Sequence, residues 1–135
     1  MDISVETAFV NTFIEKDKRK RLLFELTSEK KRSKAIERIY CATDRKYAVE
    51  NSEETDEKAL TDTVKRYCRS KKDCYIISQS NDDGKTLPID TAIRHLLEYE
   101  TTYVFIFDEN TAMVASEYDT YGTPSKLFLQ KTTVA

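Results

Sequence analysis

The sequence contains little of what usually marks a phosphate-binding loop, a disulfide scaffold or a metal site. Its 135 residues include two glycines, two prolines, three cysteines, one histidine and no tryptophan. Glycine-rich loops hold phosphates because their backbone can approach the ligand closely, and two glycines provide little for that. The cysteines are separated by 27 and 6 residues, which matches no common zinc pattern. We therefore expect no cofactor and no metal.

Long apolar segments are also missing. No run approaches the roughly 20 apolar residues that span a bilayer. The first residues lack the basic region and the continuous apolar block that signal peptides show. An odd number of cysteines is typical of a reducing compartment. These features predict a cytoplasmic protein that makes no membrane contact.

Charged residues are abundant, and their two signs are unevenly distributed. They make up 34% of the chain against 39% hydrophobic residues, a balance that suits one globular domain over 1–135. Residues 1–46 carry 12 Lys or Arg and 8 Asp or Glu, whereas residues 47–135 carry 10 and 16. This asymmetry predicts a basic face and an acidic face that could serve different partners. Ordinary solvated surfaces are the alternative.

The most apolar and β-prone passage, residues 102–107, predicts a central strand. Its aromatic residues alternate with Val104 and Ile106, so both faces of the strand are apolar and we expect cover on both sides. An Asp-Glu-Asn turn separates it from a second strand at 111–116, which predicts an antiparallel hairpin. A third strand at 125–132 completes a meander.

Apolar residues at helical spacing predict helices before and between these strands. Three helices are expected within residues 5–40, a fourth at 56–70 and a fifth beginning near Pro88. A short strand is expected at 74–78, and residues 41–55 look like loop. The order ααα-α-β-α-β-β-β indicates the α+β class, with N-terminal helices packed on a small C-terminal, mainly antiparallel sheet.

One motif resembles the end of a P-loop, because residues 83–86 read Asp-Gly-Lys-Thr between a predicted strand and a predicted helix. The first glycine of that motif would stand at position 79, which is Gln79. Asp82 and Asp83 would place negative charge where phosphates must bind. We interpret this stretch as a solvent-exposed turn.

The single histidine, His95, gives little support to catalysis. It lies beside Arg94, away from the apolar stripe of its predicted helix, and we expect it to face solvent. No serine or cysteine stands in a nucleophile elbow or a Cys-His signature. We therefore assign no catalytic residue and regard an enzyme as the minority interpretation.

A basic segment at residues 16–38 suggests a nucleic-acid site, because clustered cations neutralise phosphates. Acidic residues are interleaved with the cations, and no recognition-helix turn or RNA-binding aromatic pattern is present. The segment is kept as an alternative site. Its candidate residues are Lys16, Lys18, Arg19, Lys20, Arg21, Lys30, Lys31 and Arg32.

A loop before the last strand suggests a protein-binding surface. Tyrosines are enriched where proteins bind proteins, and an acidic surface that carries tyrosines could mimic a phosphate backbone and occupy a basic active site. Packing of the tyrosines over the sheet edge is the alternative. The candidate partner-binding residues are Glu117, Tyr118, Asp119 and Tyr121.

Some passages resemble small uncharacterised bacterial proteins. They read FIEKDKRKRLLFEL at 13–26, SEKKR at 28–32 and YIIS at 75–78, with DGK at 83–85 and LP at 87–88. The resemblance implies no named activity and no functional residues. In size and composition the chain is similar to cytosolic immunity proteins that neutralise toxins.

These observations predict a non-catalytic cytoplasmic protein that acts by protein–protein binding, with an immunity-type or inhibitor-type factor as the expected kind. The alternative is a nucleic-acid-associated or regulatory protein that uses its basic N-terminal helices.

Overall fold

The structure is a computed structural model that describes residues 1–68, 70–99, 101–116 and 125–131. Five α-helices and six strands occur in these ranges. The helices are α1 (Ile3–Phe13), α2 (Arg19–Leu26), α3 (Arg32–Ala42), α4 (Glu57–Cys68) and α5 (Ile89–Tyr99). The strands are β1 (Ala48–Ser52), β2 (Asp73–Ser78), β3 (Thr86–Pro88), β4 (Tyr103–Asp108), β5 (Thr111–Ala115) and β6 (Lys126–Gln130).

The described strands form an antiparallel sheet in the order β1-β6-β5-β4-β2-β3. β4 and β5 make the predicted hairpin, with Val104 opposite Val114 and Phe105 opposite Met113. β6 pairs with β5 and completes the predicted meander. The α+β class, with helices mainly before the sheet, is confirmed.

Helices cover both faces of the sheet, as the two-sided apolar pattern of β4 predicts. Val104 and Ile106 face α1, α2 and α3, whereas Tyr103, Phe105 and Phe107 face α4 and α5. Burying each large side chain contributes about 1.5–3 kcal/mol, so β4 holds the two layers of helices on one sheet. None of the helices in the described ranges has the length and hydropathy that crossing a bilayer requires.

Two strands lie where the sequence predicts a loop or a helix start. β1 falls within residues 41–55, and its half-exposed, polar pattern belongs to an edge strand with a register shift at Val49. β3 has three residues and ends in Pro88, which is tolerated at a sheet edge because the outer N–H is not needed. Both strands depend on pairing with a neighbour, and their own sequences carry a weak signal.

Asp side chains cap the N-termini of two helices. Val5 N donates to Asp2 Oδ1 at 3.2 Å at the start of α1, and Ala59 N donates to Asp56 Oδ2 at 2.9 Å at the start of α4. α3 begins at Arg32, after a residue whose side chain makes no capping bond.

Candidate functional site

The predicted partner-binding residues Glu117, Tyr118, Asp119 and Tyr121 lie outside the described residues. Both flanks of their segment are described. Ser116 N donates to the carbonyl oxygen of Ser125 at 2.9 Å, where β5 ends and β6 begins. Ser116 also lines a small cavity of about 220 Å³ together with Thr55, from the connection between β1 and α4.

That connection and the start of α4 carry a group of exposed carboxylates. In sequence they share the stretch 53–62 with one lysine, Lys58. Glu57 also makes an exposed ion pair with Arg94 at 3.3 Å. We call this group the acidic corner, and it consists of Glu53, Glu54, Asp56, Glu57 and Asp62.

Lys126 holds the backbone of the acidic corner in place from the interior of the protein. This side chain is 2% exposed, and its Nζ donates to the carbonyl oxygen of Glu54 at 2.6 Å. Burial lowers the pKa of Lys126 from its ordinary value. Ser52 Oγ accepts from Glu54 N at 3.1 Å, and Glu54 Oε1 accepts from Asp56 N at 2.9 Å. These bonds fix the loop that carries Glu53, Glu54 and Asp56.

Arg32, one of the predicted nucleic-acid residues, is directed into the protein. Its side chain is 12% exposed and forms ion pairs with Glu6 of α1 and with Asp83 of the β2–β3 turn. Burial alone would lower the pKa of Arg32, but the hydrogen bonds that it donates to Asp83 and Glu6 raise this pKa above its ordinary value. Tyr75 donates to Glu6 Oε2 at 2.6 Å, and burial together with this bond raises the pKa of Tyr75.

Several other cations of the basic segment bind neighbouring groups. Arg21 and Arg38 both pair with Glu25, Lys18 pairs with Glu15, and Arg19 Nε donates to a backbone carbonyl. Phe24, between them on α2, is 65% exposed, and Lys31 Nζ lies 5.5 Å from its ring centre. Phe24 and four of the exposed cations form a surface that we call the basic face. The cations are Lys16, Lys20, Lys30 and Lys31.

The Asp-Gly-Lys-Thr motif begins in a turn, as predicted, and Lys85 and Thr86 are exposed, but the acidic residues of the turn are directed into the protein. The expectation that His95 faces solvent is wrong, because its ring is half-buried against one of them. Asp82 is 5% exposed, and its Oδ2 lies 2.8 Å from His95 Nδ1 and accepts from Tyr103 OH at 2.7 Å. Asp83, the first residue of the motif, binds Arg32. Spacing alone missed these contacts because their partners lie 13 to 51 residues away.

The His95 group lacks the order of a nucleophile triad in the described part of the chain. Because a carboxylate only accepts, Nδ1 carries the proton and Nε2 is the free ring nitrogen. The nearest hydroxyl chain runs the other way, from Ser78 to Ser80 at 2.8 Å and on to Tyr103 at 2.7 Å. The hydroxyls therefore stabilise Asp82, and none of those in the described residues is hydrogen-bonded to the ring nitrogen that could act as a base.

A cleft of about 530 Å³ lies between α1 and the sheet, and we call it the α1 cleft. Buried side chains of Phe9, Phe13 and Ile106 form part of its floor. Exposed Lys71 and Lys72 stand at its rim. Asp73, Asp108 and Glu109 provide the opposite sign there.

Comparison with protein-family models, curated proteins and solved structures gives no match for this chain. The described side chains are therefore the basis for inferring what the protein does. Among them, the acidic corner and the α1 cleft are open surfaces whose neighbouring residues fix their conformation.

Proposed function

We propose that the protein is non-catalytic and acts by binding another protein that presents a basic surface, in the manner of an inhibitor-type or immunity-type factor. The observation that supports this is the acidic corner, whose exposed carboxylates lie on a loop held by Lys126 and Ser52 and on the first two turns of α4. A fixed group of like charges attracts an oppositely charged surface and orients it on approach.

The kind of partner follows from the chemistry of carboxylates. Enzymes that bind nucleic acid present Lys and Arg to phosphates. A row of carboxylates can occupy the same cationic surface and exclude the nucleic acid. This is the physical basis for proposing an inhibitor-type role.

The internal polar groups support binding over catalysis. Arg32 is bound by Glu6 and Asp83, and His95 is bound by Asp82. In an active site such a group would be directed at a substrate. Here each one is engaged by another residue of the protein and stabilises the fold.

The experiment is affinity capture from an extract of the source cells, followed by measurement of binding to the captured protein. We expect a stoichiometric basic partner whose affinity falls when Glu53 and Asp62 are changed to lysine. Neither side chain is hydrogen-bonded to another described residue. Because the charge of Glu53 acts on the buried Lys126, the unfolding midpoint of the variant is measured alongside, and an unchanged midpoint shows that the loop is intact.

The basic face supports a second candidate, binding of single-stranded nucleic acid. Phe24 offers an exposed ring on which a base can stack, and Lys20 and Lys31 flank it. Arg32 takes no part in this surface because its guanidinium is engaged with Glu6 and Asp83.

A further inference from the structure

The α1 cleft lies at the end of the sheet opposite the acidic corner. Its walls come from the start of β2 and the end of β4. The acidic corner follows the last residue of β1, Ser52, which pairs with Lys126 at the beginning of β6. β4 is antiparallel to β2 and to β5, and β5 is antiparallel to β6. Across these pairings Lys126 is level with the end of β2 and the start of β4, whereas the α1 cleft lies at the start of β2 and the end of β4. A ligand in the α1 cleft would therefore leave the acidic corner free.

The α1 cleft has the size and the floor of a small-molecule site. Ligand sites usually enclose about 300–1,000 Å³, with apolar walls and a few polar groups, and this cleft encloses about 530 Å³. Phe9 and Phe13 from α1 and Ile106 from β4 provide aromatic and aliphatic surface. Ala8 of α1 is exposed and lines the cleft, so α1 leaves room above this floor.

Charges of both signs stand side by side at the rim. Tyr75 pairs with Ile106 in antiparallel register, so the residues before Tyr75 and those after Ile106 leave the sheet next to each other. Lys71 and Lys72 come from the first of these segments, and Glu109 comes from the second. None of the three forms an ion pair with another described residue.

We propose that the α1 cleft binds a zwitterion with an apolar side chain, namely an aromatic amino acid or a dipeptide that contains one. Lys71 and Lys72 bind its carboxylate, and Asp108 and Glu109 bind its ammonium group. The side chain lies on Phe9, Phe13 and Ile106.

The mixed rim selects this ligand over two simpler ones. A fatty carboxylate would bind the lysines but would leave the rim carboxylates facing an apolar chain. An apolar amine would bind the rim carboxylates but would leave the lysines facing an apolar chain. A ligand with both charges can pair with the lysines and with the carboxylates of the rim. Each ion pair adds binding free energy to that of the contact between the ligand's side chain and the floor.

Nuclear magnetic resonance titration of the full chain with defined probes tests the proposal. The probes are L-phenylalanine, the dipeptide Phe-Phe, phenethylamine, 3-phenylpropionate and neutral N-acetyl-phenylalanine amide. We expect amide shifts at the cleft residues for the first two probes at concentrations up to about 10 mM. Both single-charge analogues and the neutral analogue should bind at least about threefold more weakly. A stronger response to Phe-Phe than to L-phenylalanine would assign the dipeptide as the ligand, and the reverse would assign the amino acid.

Substitutions locate the binding. Ala8→Trp should fill the cleft and abolish the shifts, and Ser4→Trp is a second blocking variant at the rim. Asn11→Trp, on α1 but outside the cleft, is the matched control and should bind as the wild type does. Lys71→Gln with Lys72→Gln should weaken binding of 3-phenylpropionate and leave phenethylamine unaffected, whereas Glu109→Gln should do the opposite.

Three results would overturn the proposal. They are an absence of cleft shifts with either zwitterion, equal binding of the neutral analogue, and binding that survives both blocking variants. The acidic corner takes no part in this test, so the two proposals succeed or fail independently.

Discussion

Arg32 and Asp83 are joined by two parallel hydrogen bonds across 51 residues of sequence, from Nε to Oδ2 at 2.7 Å and from Nη2 to Oδ1 at 2.8 Å. The same guanidinium donates to both carboxylate oxygens of Glu6, at 2.7 and 2.8 Å. It also donates to the carbonyl oxygen of Leu26 at 3.0 Å, at the end of α2. One side chain thereby ties the three N-terminal helices to the β2–β3 turn.

Replacing Arg32 with methionine should therefore lower the free energy of unfolding by about 3–5 kcal/mol, because two partly buried carboxylates lose their counter-charge. Urea unfolding at neutral pH, with the denaturant slope unchanged, measures this. Arg32→Lys should also destabilise, since an ammonium group cannot form both forked pairs. Lys30→Met, at an exposed position nearby, is the control and should change stability by about 0.5 kcal/mol or less. A similarly small effect for Arg32→Met would show that the network contributes no stability.

Glu25 should contribute to acid sensitivity. The hydrogen bond from Arg21, together with the charge of Arg38, holds the pKa of Glu25 below its ordinary value. A carboxyl group with a lowered pKa in the folded state stabilises the protein above its unfolded pKa, and this contribution is lost as the pH falls through the folded pKa. Glu25→Gln should be less stable than the wild type at neutral pH and should lose less stability below about pH 4. Unfolding midpoints measured across this range that run parallel for the two proteins would contradict the assignment.

The three thiols should separate into two classes. Cys41 is exposed, whereas Cys68 and Cys74 are buried. Burial raises the pKa of Cys74 to about 12 and also raises the pKa of Cys68. An aromatic disulfide reagent at about pH 8 should therefore modify one thiol quickly in the native protein and all three in urea. Cys41→Ser should remove the fast phase, and a fast phase of two or three thiols would show that the buried pair is accessible.

The second candidate function has its own test at the basic face. If Phe24 stacks a base, a labelled single-stranded oligonucleotide should bind at low salt, with an affinity that falls linearly on a logarithmic salt scale. Phe24→Ala should weaken this binding by about 1–3 kcal/mol. Val49→Ala, at another exposed apolar side chain, should leave it unchanged. An unchanged anisotropy at low salt would exclude this function.

The sheet could be predicted from the sequence because its signals are local. The alternation of Tyr103, Val104 and Phe105 already implies cover on both faces, and the structure confirms it. Edge strands β1 and β3 could not be predicted in this way, since short polar strands form by pairing with a neighbour. Their sequences resemble loops.

Internal polar networks were harder to predict than the sheet. Asp82 and Asp83 stand in a stretch that resembles an exposed turn, yet one binds His95 and the other binds Arg32. The two adjacent carboxylates in a short turn were the sequence feature that could have indicated internal ion pairs. Their charge must be compensated when the turn packs on helices. The identity of the compensating residues depends on the tertiary fold.

The most direct test of the proposed function is the affinity of the captured partner for charge variants of the acidic corner, measured by calorimetry at two salt concentrations. Glu53→Lys with Asp62→Lys should raise the dissociation constant at least about tenfold, and added salt should weaken the wild-type complex. Glu29→Lys with Asp90→Lys carries the same change in net charge at exposed positions outside the corner, and should change the constant by about twofold or less. Equal affinities for the wild type and the corner variant would contradict the account.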